Sequence, residues 1–445
     1  MRKRLLLLPI ILFVASAMTT NAQDLSKAET TDSFLVLPDP GCLRTDAWTV
    51  QANPRSDVAG LRNHAFPDWN ATYWGTLIEA GLGTVVTIHG RFPNARYMSL
   101  QVYGNASSVL DGLNDQEINP DPAQNNPFRG GTAQGTYTVK LVFGWPLWNR
   151  MPNTLYTFGA RSVALVYRVY YPDNPNDVTG GTYNPVLPVV SIEGRGTLMT
   201  CAPRPIVSPE ELTINGRVDD VDFTGAKPAL FTAIPPIWSF QVTNPLTPFF
   251  ANRDNSYMYA IISRTYLTAP YNNNMAVIRM RVPTFADTQA GAAPYANADV
   301  RYWSICQNEL FSMSVVRCVP DNVGTNTSGW TTIVISDPSY RPADAVLRQW
   351  GATWLPWGAL QSNDFIYDSK LSPLTNSDGA FYYGLVLYRQ TMASPAFPQS
   401  IEHIAKVPFL ERRAVMGDYW PMIGYCSAAN FRALGGDCIS KNADR

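Results

Sequence analysis

The sequence predicts an all-β chain: two tandem β-sandwich domains of jelly-roll type from an internal duplication, with few short helices. Three observations carry this. Short β-branched or aromatic segments bounded by Gly, Pro, Asn or Asp recur along the chain, as strands do. "RYMSLQVY" at 96–103 returns as "RYWSICQN" at 301–308. The 445 residues are 46% hydrophobic with 35 prolines, which suits a turn-rich globular chain with room for two cores.

The opening "MRKRLLLLPIILFVASAMTTNAQD" has a basic start, an apolar run and then small residues. This reads as a secretory signal peptide over 1–22, too short for a membrane span. No later segment offers about 18 uninterrupted apolar residues. The expectation is a secreted or periplasmic protein without an integral membrane segment after cleavage. Loss of Arg2, Lys3 and Arg4 takes the formal charge from −1 to −4. So mild a charge predicts neither a nucleic-acid groove nor a polybasic membrane surface.

The repeat is collinear. "NATYWGTLIEAG" leads into "TVVTIHGRFP", and later "NSYMYAIISRT" leads into "AVIRMRVP". "TYTVKLVFG" from Thr136 is echoed by "WTTIVISDP" from Trp330, and "VALVYRVYYP" with Arg168 by "YYGLVLYRQT" with Arg389. The offset grows from 190 residues at Pro93 and Pro283 to 205 at Arg96 and Arg301, and the loop-like "TFADTQAGAAPYANAD" accounts for the insertion. The predicted sandwiches cover 33–205 and 246–430, with a bridging segment at 206–245 and a C-terminal tail at 431–445. Helices are predicted at "ADAVLRQWG", "QSIEHIAKV" and "SAANFRALGG", the first and last closed by Gly.

Alternation in the repeat separates two faces. Met98, Leu100 and Val102 share one, as do Trp303 and Ile305; these are core. Tyr97, Ser99, Gln101 and Tyr103 share the other, matched by Tyr302, Ser304, Cys306 and Asn308. That polar, aromatic face has two readings: a ligand surface, or a sheet side that is solvated or packs on the other domain.

Cys42, Cys201, Cys306, Cys318, Cys426 and Cys438 make an even set, which in an exported chain favours disulfides. Cys306 with Cys318, and Cys426 with Cys438, are each twelve residues apart, a spacing that suits local bridges. Cys42 would then pair with Cys201. Sequence leaves fifteen connectivities open. With no CxxC and only His64, His89 and His403, zinc is not expected.

The runs "GRFPNARYMSLQVYG", "INPDPAQNNPF", "PNTLY" and "YRVYYPDNPNDVTGG" resemble a family of exported, mostly uncharacterised bacterial proteins. The resemblance covers most of the first half and, more loosely, the second, including "WLPWG" at 354–358. Ala123 and Gln124 depart from the Gly and Ser of its turn. It implies an exported β fold and brings no activity and no catalytic residue.

Candidate chemistry is sparse. There is no G-x-S-x-G, no phosphate-binding Gly loop and no CxxCH, so serine-hydrolase machinery and nucleotide, haem or flavin cofactors are not expected. Twelve tryptophans and 22 tyrosines can supply stacking platforms for sugars, densest at Trp145 and Trp148 and at Trp350, Trp354 and Trp357. Core packing is the alternative role for these rings. Arg96, Tyr97, Gln101 and His89 have the residue types of a polysaccharide-lyase site, without a complete motif. Asp111, Asp115, Glu117 and Asp121 form an oxygen-rich stretch that could bind calcium, without EF-hand spacing. Asn-x-Ser/Thr sequons stand at Asn70, Asn105 and Asn326.

The functional expectation is an exported, disulfide-bonded protein that binds an extracellular or envelope ligand, carbohydrate being the partner considered. Ligand-binding candidates are Arg96, Tyr97, Gln101, Tyr103, His89, Tyr302, Trp354 and Trp357. The alternatives are a lyase or glycoside hydrolase with its site between the domains, and a structural surface protein that assembles through its sheets.

Overall fold

The computed structural model describes residues 48, 50–55, 65–104, 108–131, 135–181, 187–192, 239–242, 250–263, 273–294, 296–309, 315–323, 328–357 and 383–442. Residues 1–22, read as a signal peptide from the sequence, Cys42, Cys201, His64, Asn105, Asn326 and most of the 206–245 segment lie outside them. The chain is mostly β, in four sheets with four short helices among the described residues.

Among the described residues, nine strands build the first half: β1 Val50–Ala52, β2 Ala71–Glu79, β3 Val85–Arg91, β4 Ala95–Tyr103, β5 Val109–Asn114, β6 Thr136–Val142, β7 Thr154–Tyr156, β8 Ser162–Pro172 and β9 Val189–Ile192. Nine more build the second: β10 Gln241–Val242, β11 Asn255–Ser263, β12 Met275–Arg281, β13 Val300–Glu309, β14 Val315–Pro320, β15 Trp330–Ser336, β16 Ala352–Pro356, β17 Tyr383–Ala393 and β18 Met422–Cys426. The first half forms sheets β1-β2-β8-β4-β5 and β7-β6-β3-β9. The second forms β10-β11-β17-β13-β14 and β16-β15-β12-β18, the same order strand for strand. Each echoed segment in the sequence falls on a matching pair: β2 with β11, β3 with β12, β4 with β13, β6 with β15, and β8 with β17.

Within each half the five- and four-stranded sheets enclose an apolar core. In the first half, Met98, Leu100 and Val102 meet Val86, Ile88, Val139 and Leu141. In the second, Trp303 and Ile305 meet Ile278, Ile333 and Trp357. These are the faces that alternation predicts. Burying one large aliphatic or aromatic side chain contributes about 1.5–3 kcal/mol, so the period-2 pattern pins the strand register.

The second half carries an additional layer. Helices α1 Asp344–Gln349 and α4 Ala428–Leu434 cover the outer face of its four-stranded sheet, where Leu347 and Phe431 pack on Val277 and Val334. Ser427 caps α4, accepting from Asn430 N at 3.2 Å. Helix α2 Ile401–Ala405 is capped by Ser400, and α3 Arg412–Met416 follows it. The three helices that the sequence predicts are present, and α3 is additional to them. Two stretches depart from the expected boundaries. Gln241 and Val242, in the stretch read as a bridge, pair with Tyr259 and Met258. The residues read as a C-terminal tail complete α4 and deliver Cys438 to Cys426.

Candidate functional site

The polar faces of β4 and β13 turn towards each other. Tyr97, Tyr170, Tyr171 and Tyr302 form one buried cluster, in which Tyr170 contacts Tyr97 and Tyr302 edge-on with centroids 5.3 and 5.9 Å apart. The two five-stranded sheets are therefore joined over these residues. Of the two readings of this face, packing between halves is the one observed. Arg96, Tyr97, Gln101, Tyr103 and Tyr302 are all fully buried there and present no ligand surface.

The joint is reciprocal. Arg96, at the start of β4, reaches Asp321 just past β14 at 2.5 Å, while Arg301, at the start of β13, reaches Asp115 just past β5 at 3.1 Å. Tyr97 OH lies 3.1 Å from Asn252 Oδ1 and donates to the Asp254 carboxylate at 2.7 Å, and Tyr302 OH donates to Asp68 Oδ1 at 3.1 Å. Arg168 donates to the Phe250 carbonyl, and Arg389 to that of Phe66. Phe66 and Phe250 both sit at positive φ, 53° and 54°, and Tyr171 and Met392 do so at 47° and 50°. Such left-handed backbone is unusual for bulky residues. Its repetition at matched positions means that the same local bends aim both sets of contacts.

Burial shapes the electrostatics of this joint. It raises the Asp321 carboxyl to about 8 against the pull of Arg96, and that of Asp115 to about 6 against Arg301. The phenols of Tyr73, Tyr97 and Tyr302 are pushed well above the usual tyrosine value, mainly by burial.

The other sequence candidates are scattered. His89 is exposed on β3, with Nδ1 3.1 Å from Thr138 Oγ1 and 3.5 Å from Asp121. β3 belongs to the four-stranded sheet, so Arg96 and Tyr97 lie across the core from His89 and the lyase-like set does not assemble. Trp357 is fully buried in the second core. Trp354 is half-buried, donates to Ser336 Oγ at 3.0 Å and lies under Arg341. Trp350 donates to the Arg432 carbonyl. These rings pack within the second half, Trp357 in its core and Trp350 and Trp354 against the layer under α1 and α4.

The four acidic candidates do not converge on a calcium position. Asp111 accepts from Arg150 at 2.6 Å and from Tyr156 N. Asp115 accepts from Met98 N and Arg301. Glu117 pairs with Arg253, and Asp121 lies beside His89. Among the described residues, Asp68, Cys306 and Cys318 bring potential metal-ligand atoms together. The two sulfurs are joined as a disulfide and Arg389 stands 3.5 Å from Asp68, an environment that opposes a cation. Cys306–Cys318 and Cys426–Cys438 are the bridges that the twelve-residue spacings suggested.

Exposed apolar surface gathers elsewhere, at one end of the first sandwich. The loop between β6 and β7 carries Trp145, Leu147, Trp148 and Met151, with Leu147 88% and Trp148 93% exposed. Two further turns reach the same end. Gly83 N donates to the Phe143 carbonyl and Phe143 N to that of Thr84, which brings in exposed Leu82. Phe158 N donates to the Gly144 carbonyl, which brings in exposed Phe158. Gly159, at φ 88°, lets the Trp145 ring lie on the backbone, since a Cβ there would stand 2.4 Å from the indole. Arg150 stacks over Tyr156, 5.9 Å from its centroid, and its pairing with Asp111 anchors the loop base. Sequence flags Trp145 and Trp148 through their density. Leu82 and Phe158 are distant along the chain, and only the turn contacts bring them in.

No family model and no curated protein matches the chain. Among solved structures, an uncharacterised protein from Burkholderia cenocepacia aligns at 15% identity and TM-score 0.48, over 93% of this chain and 87% of that one. A protein from Vibrio parahaemolyticus aligns at 10% identity and TM-score 0.39, over 81% and 90%. Likeness at this level carries no functional argument.

Proposed function

We propose that the chain is an exported, non-catalytic binding protein whose ligand surface is the aromatic end formed by Trp145, Leu147, Trp148 and Phe158, and that the ligand is carbohydrate. We also read the repeated strand order as the product of an internal duplication. The observation that carries the binding reading is the exposure of Trp148 and Leu147 on a loop whose base is anchored. A contiguous apolar patch that folding leaves uncovered marks an interaction site, and indole faces stack on the C–H faces of sugars. The leader and the two disulfides support export. No helix among the described residues is long and apolar enough to cross a membrane. An enzyme site between the halves is disfavoured, because the faces that would line it are packed against each other.

A glycan array and a soluble-polysaccharide screen test this, with tryptophan fluorescence as readout and ultraviolet detection of unsaturated uronates. The expected result is binding without product, weakened at least about thirtyfold in Trp148→Ala, as for an aromatic anchor contributing about 2 kcal/mol or more. Uronate release would overturn the non-catalytic reading. Fluorescence shifts with lipid vesicles alone, or self-association relieved by Trp148→Ala, would replace carbohydrate with a lipid surface or a second copy.

A further inference from the structure

We infer that Arg168, Ser99 and Asn252 hold a small monovalent anion, a halide or a formate-sized carboxylate, at the joint between the two halves. The argument rests on the internal symmetry of the chain. On the joint face of the first half, Arg168 of β8 stands between Tyr73 of β2 and Ser99 of β4. On that of the second, Arg389 of β17 stands between Tyr257 and Ser304. In the second setting the other half delivers a carboxylate. Asp68 Oδ2 accepts from Ser304 Oγ at 2.5 Å and lies 3.5 Å from Arg389 Nη1. Its Oδ1 accepts from Asn70 N at 2.8 Å and from Tyr302 OH at 3.1 Å.

The matching residue in the first setting is Asn252. Its Oδ1 accepts from Asp254 N at 3.1 Å and from Gln101 Nε2 at 2.5 Å, while the Tyr97 hydroxyl 3.1 Å away donates to the Asp254 carboxylate at 2.7 Å. These contacts fix the amide orientation. The NH2 group therefore occupies the place that Asp68 fills with its second carboxylate oxygen. Its one contact is a long one, to Asn255 Oδ1 at 3.5 Å. Where Arg389 and Ser304 meet an anionic oxygen, the internal match assigns the corresponding place beside Arg168 and Ser99 to this NH2 group.

Arg168 is left with a deficit. The residue is 1% exposed, and its Nη2 donates to Tyr103 OH at 2.5 Å and to the Phe250 carbonyl at 2.8 Å. Its Nε and Nη1 have no hydrogen-bond partner. Tyr73 and Tyr103 present their rings to the guanidinium, 5.6 and 5.2 Å from the ring centroids. Burial keeps their phenols protonated, so they supply no countercharge. A buried guanidinium requires a countercharge and acceptors for its N–H groups. Two buried guanidinium donors without an acceptor, Arg168 Nε and Nη1, mark an anion position on the Ser99 side of the joint. The equivalent position accommodates one carboxylate oxygen, so size and charge select a small monovalent ion over sulfate or phosphate. Asn252 and Arg168 come from different halves, and the ion would join them.

The test is the thermal midpoint of the full chain with chloride replacing gluconate at constant ionic strength, together with crystals grown in bromide. The expected result is a rise of about 3 °C in chloride and an anomalous bromide peak touching Arg168 Nη1 and Ser99 Oγ. A formate series separates the sources: a larger rise in formate than in chloride identifies a carboxylate as the preferred ion, and the reverse a halide. Asn252→Asp supplies the missing oxygen, and it is expected to raise the midpoint in gluconate and to abolish the chloride response. Equal midpoints in gluconate, chloride and formate, a chloride response retained in Asn252→Asp, or a bromide map without density at Arg168 would each overturn the inference.

Discussion

Arg96 and Asp321 meet at 2.5 Å with both side chains fully buried, although 225 residues separate them. Arg96 also reaches Asp287 at 3.1 Å and Thr288 at 3.3 Å. Removing one partner of a buried pair strands the other charge, at a cost of about 3–5 kcal/mol. Above about pH 8, where Asp321 is ionised, Asp321→Ala should therefore lower the denaturant-unfolding free energy by about 3 kcal/mol, somewhat cushioned by Asp287. Replacing Arg96 and Asp321 together with Met and Leu should cost much less. If the double variant is as unstable as Asp321→Ala, the pair is not the source of the loss.

The pH dependence has a definite sign. Burial raises Asp321 from 3.8 to about 8 and Asp115 from 3.8 to about 6. The groups facing Asp321 are Arg96, Asp287 and Asp68, and those facing Asp115 are Arg301 and Asp254. The folded chain thus holds more protons than the unfolded one between about pH 4 and 8, and stability falls as pH rises through that window. Thermal midpoints should decline from pH 5 to pH 8.5. Asp115→Asn should flatten the lower part of the decline and Asp321→Asn the upper part. A midpoint that climbs over this range would contradict the assignment.

The two disulfides should differ in reach. Each closes a short loop, worth about 3 kcal/mol in the chain-entropy account. Cys306 lies at the joint, where Arg389 donates to its sulfur at 2.7 Å and Trp69 N donates to that of Cys318 at 3.2 Å. A Cys306→Ser, Cys318→Ser double variant should raise hydrogen exchange on both sides of the joint. Cys426→Ser with Cys438→Ser should loosen only α4 and the layer under Trp350. Exchange confined to the second half in both variants would argue against this difference.

Trp148 and Trp357 make a contrasting pair. Trp357→Ala removes a fully buried core ring and should cost about 3–5 kcal/mol. Trp148 is 93% exposed, so Trp148→Ala should leave stability within about 0.5 kcal/mol while weakening the proposed binding. Destabilisation of similar size in both would mean that the aromatic end is a structural cap.

Much of the fold is legible in the residues. Strand positions and their inward faces follow from period-2 alternation, because one face of each sheet must leave water. Helix ends at Ser400, Ser427 and Gly435 follow from local capping chemistry. The disulfides within the second half follow from short spacing. None of these requires knowledge of distant contacts.

The second face of β4 and β13 is different. Tyr, Ser and Gln suit water, a ligand or another polar sheet equally, and composition does not distinguish them. That Asp115 serves Arg301 and Asp321 serves Arg96 follows from a docking of halves that no local pattern encodes. The aromatic end likewise exists because three turns meet across sheet hydrogen bonds. Local periodicity specifies which side of a strand is apolar. Which polar groups meet depends on long-range geometry, as when Asp68 of one half meets Ser304 and Arg389 of the other.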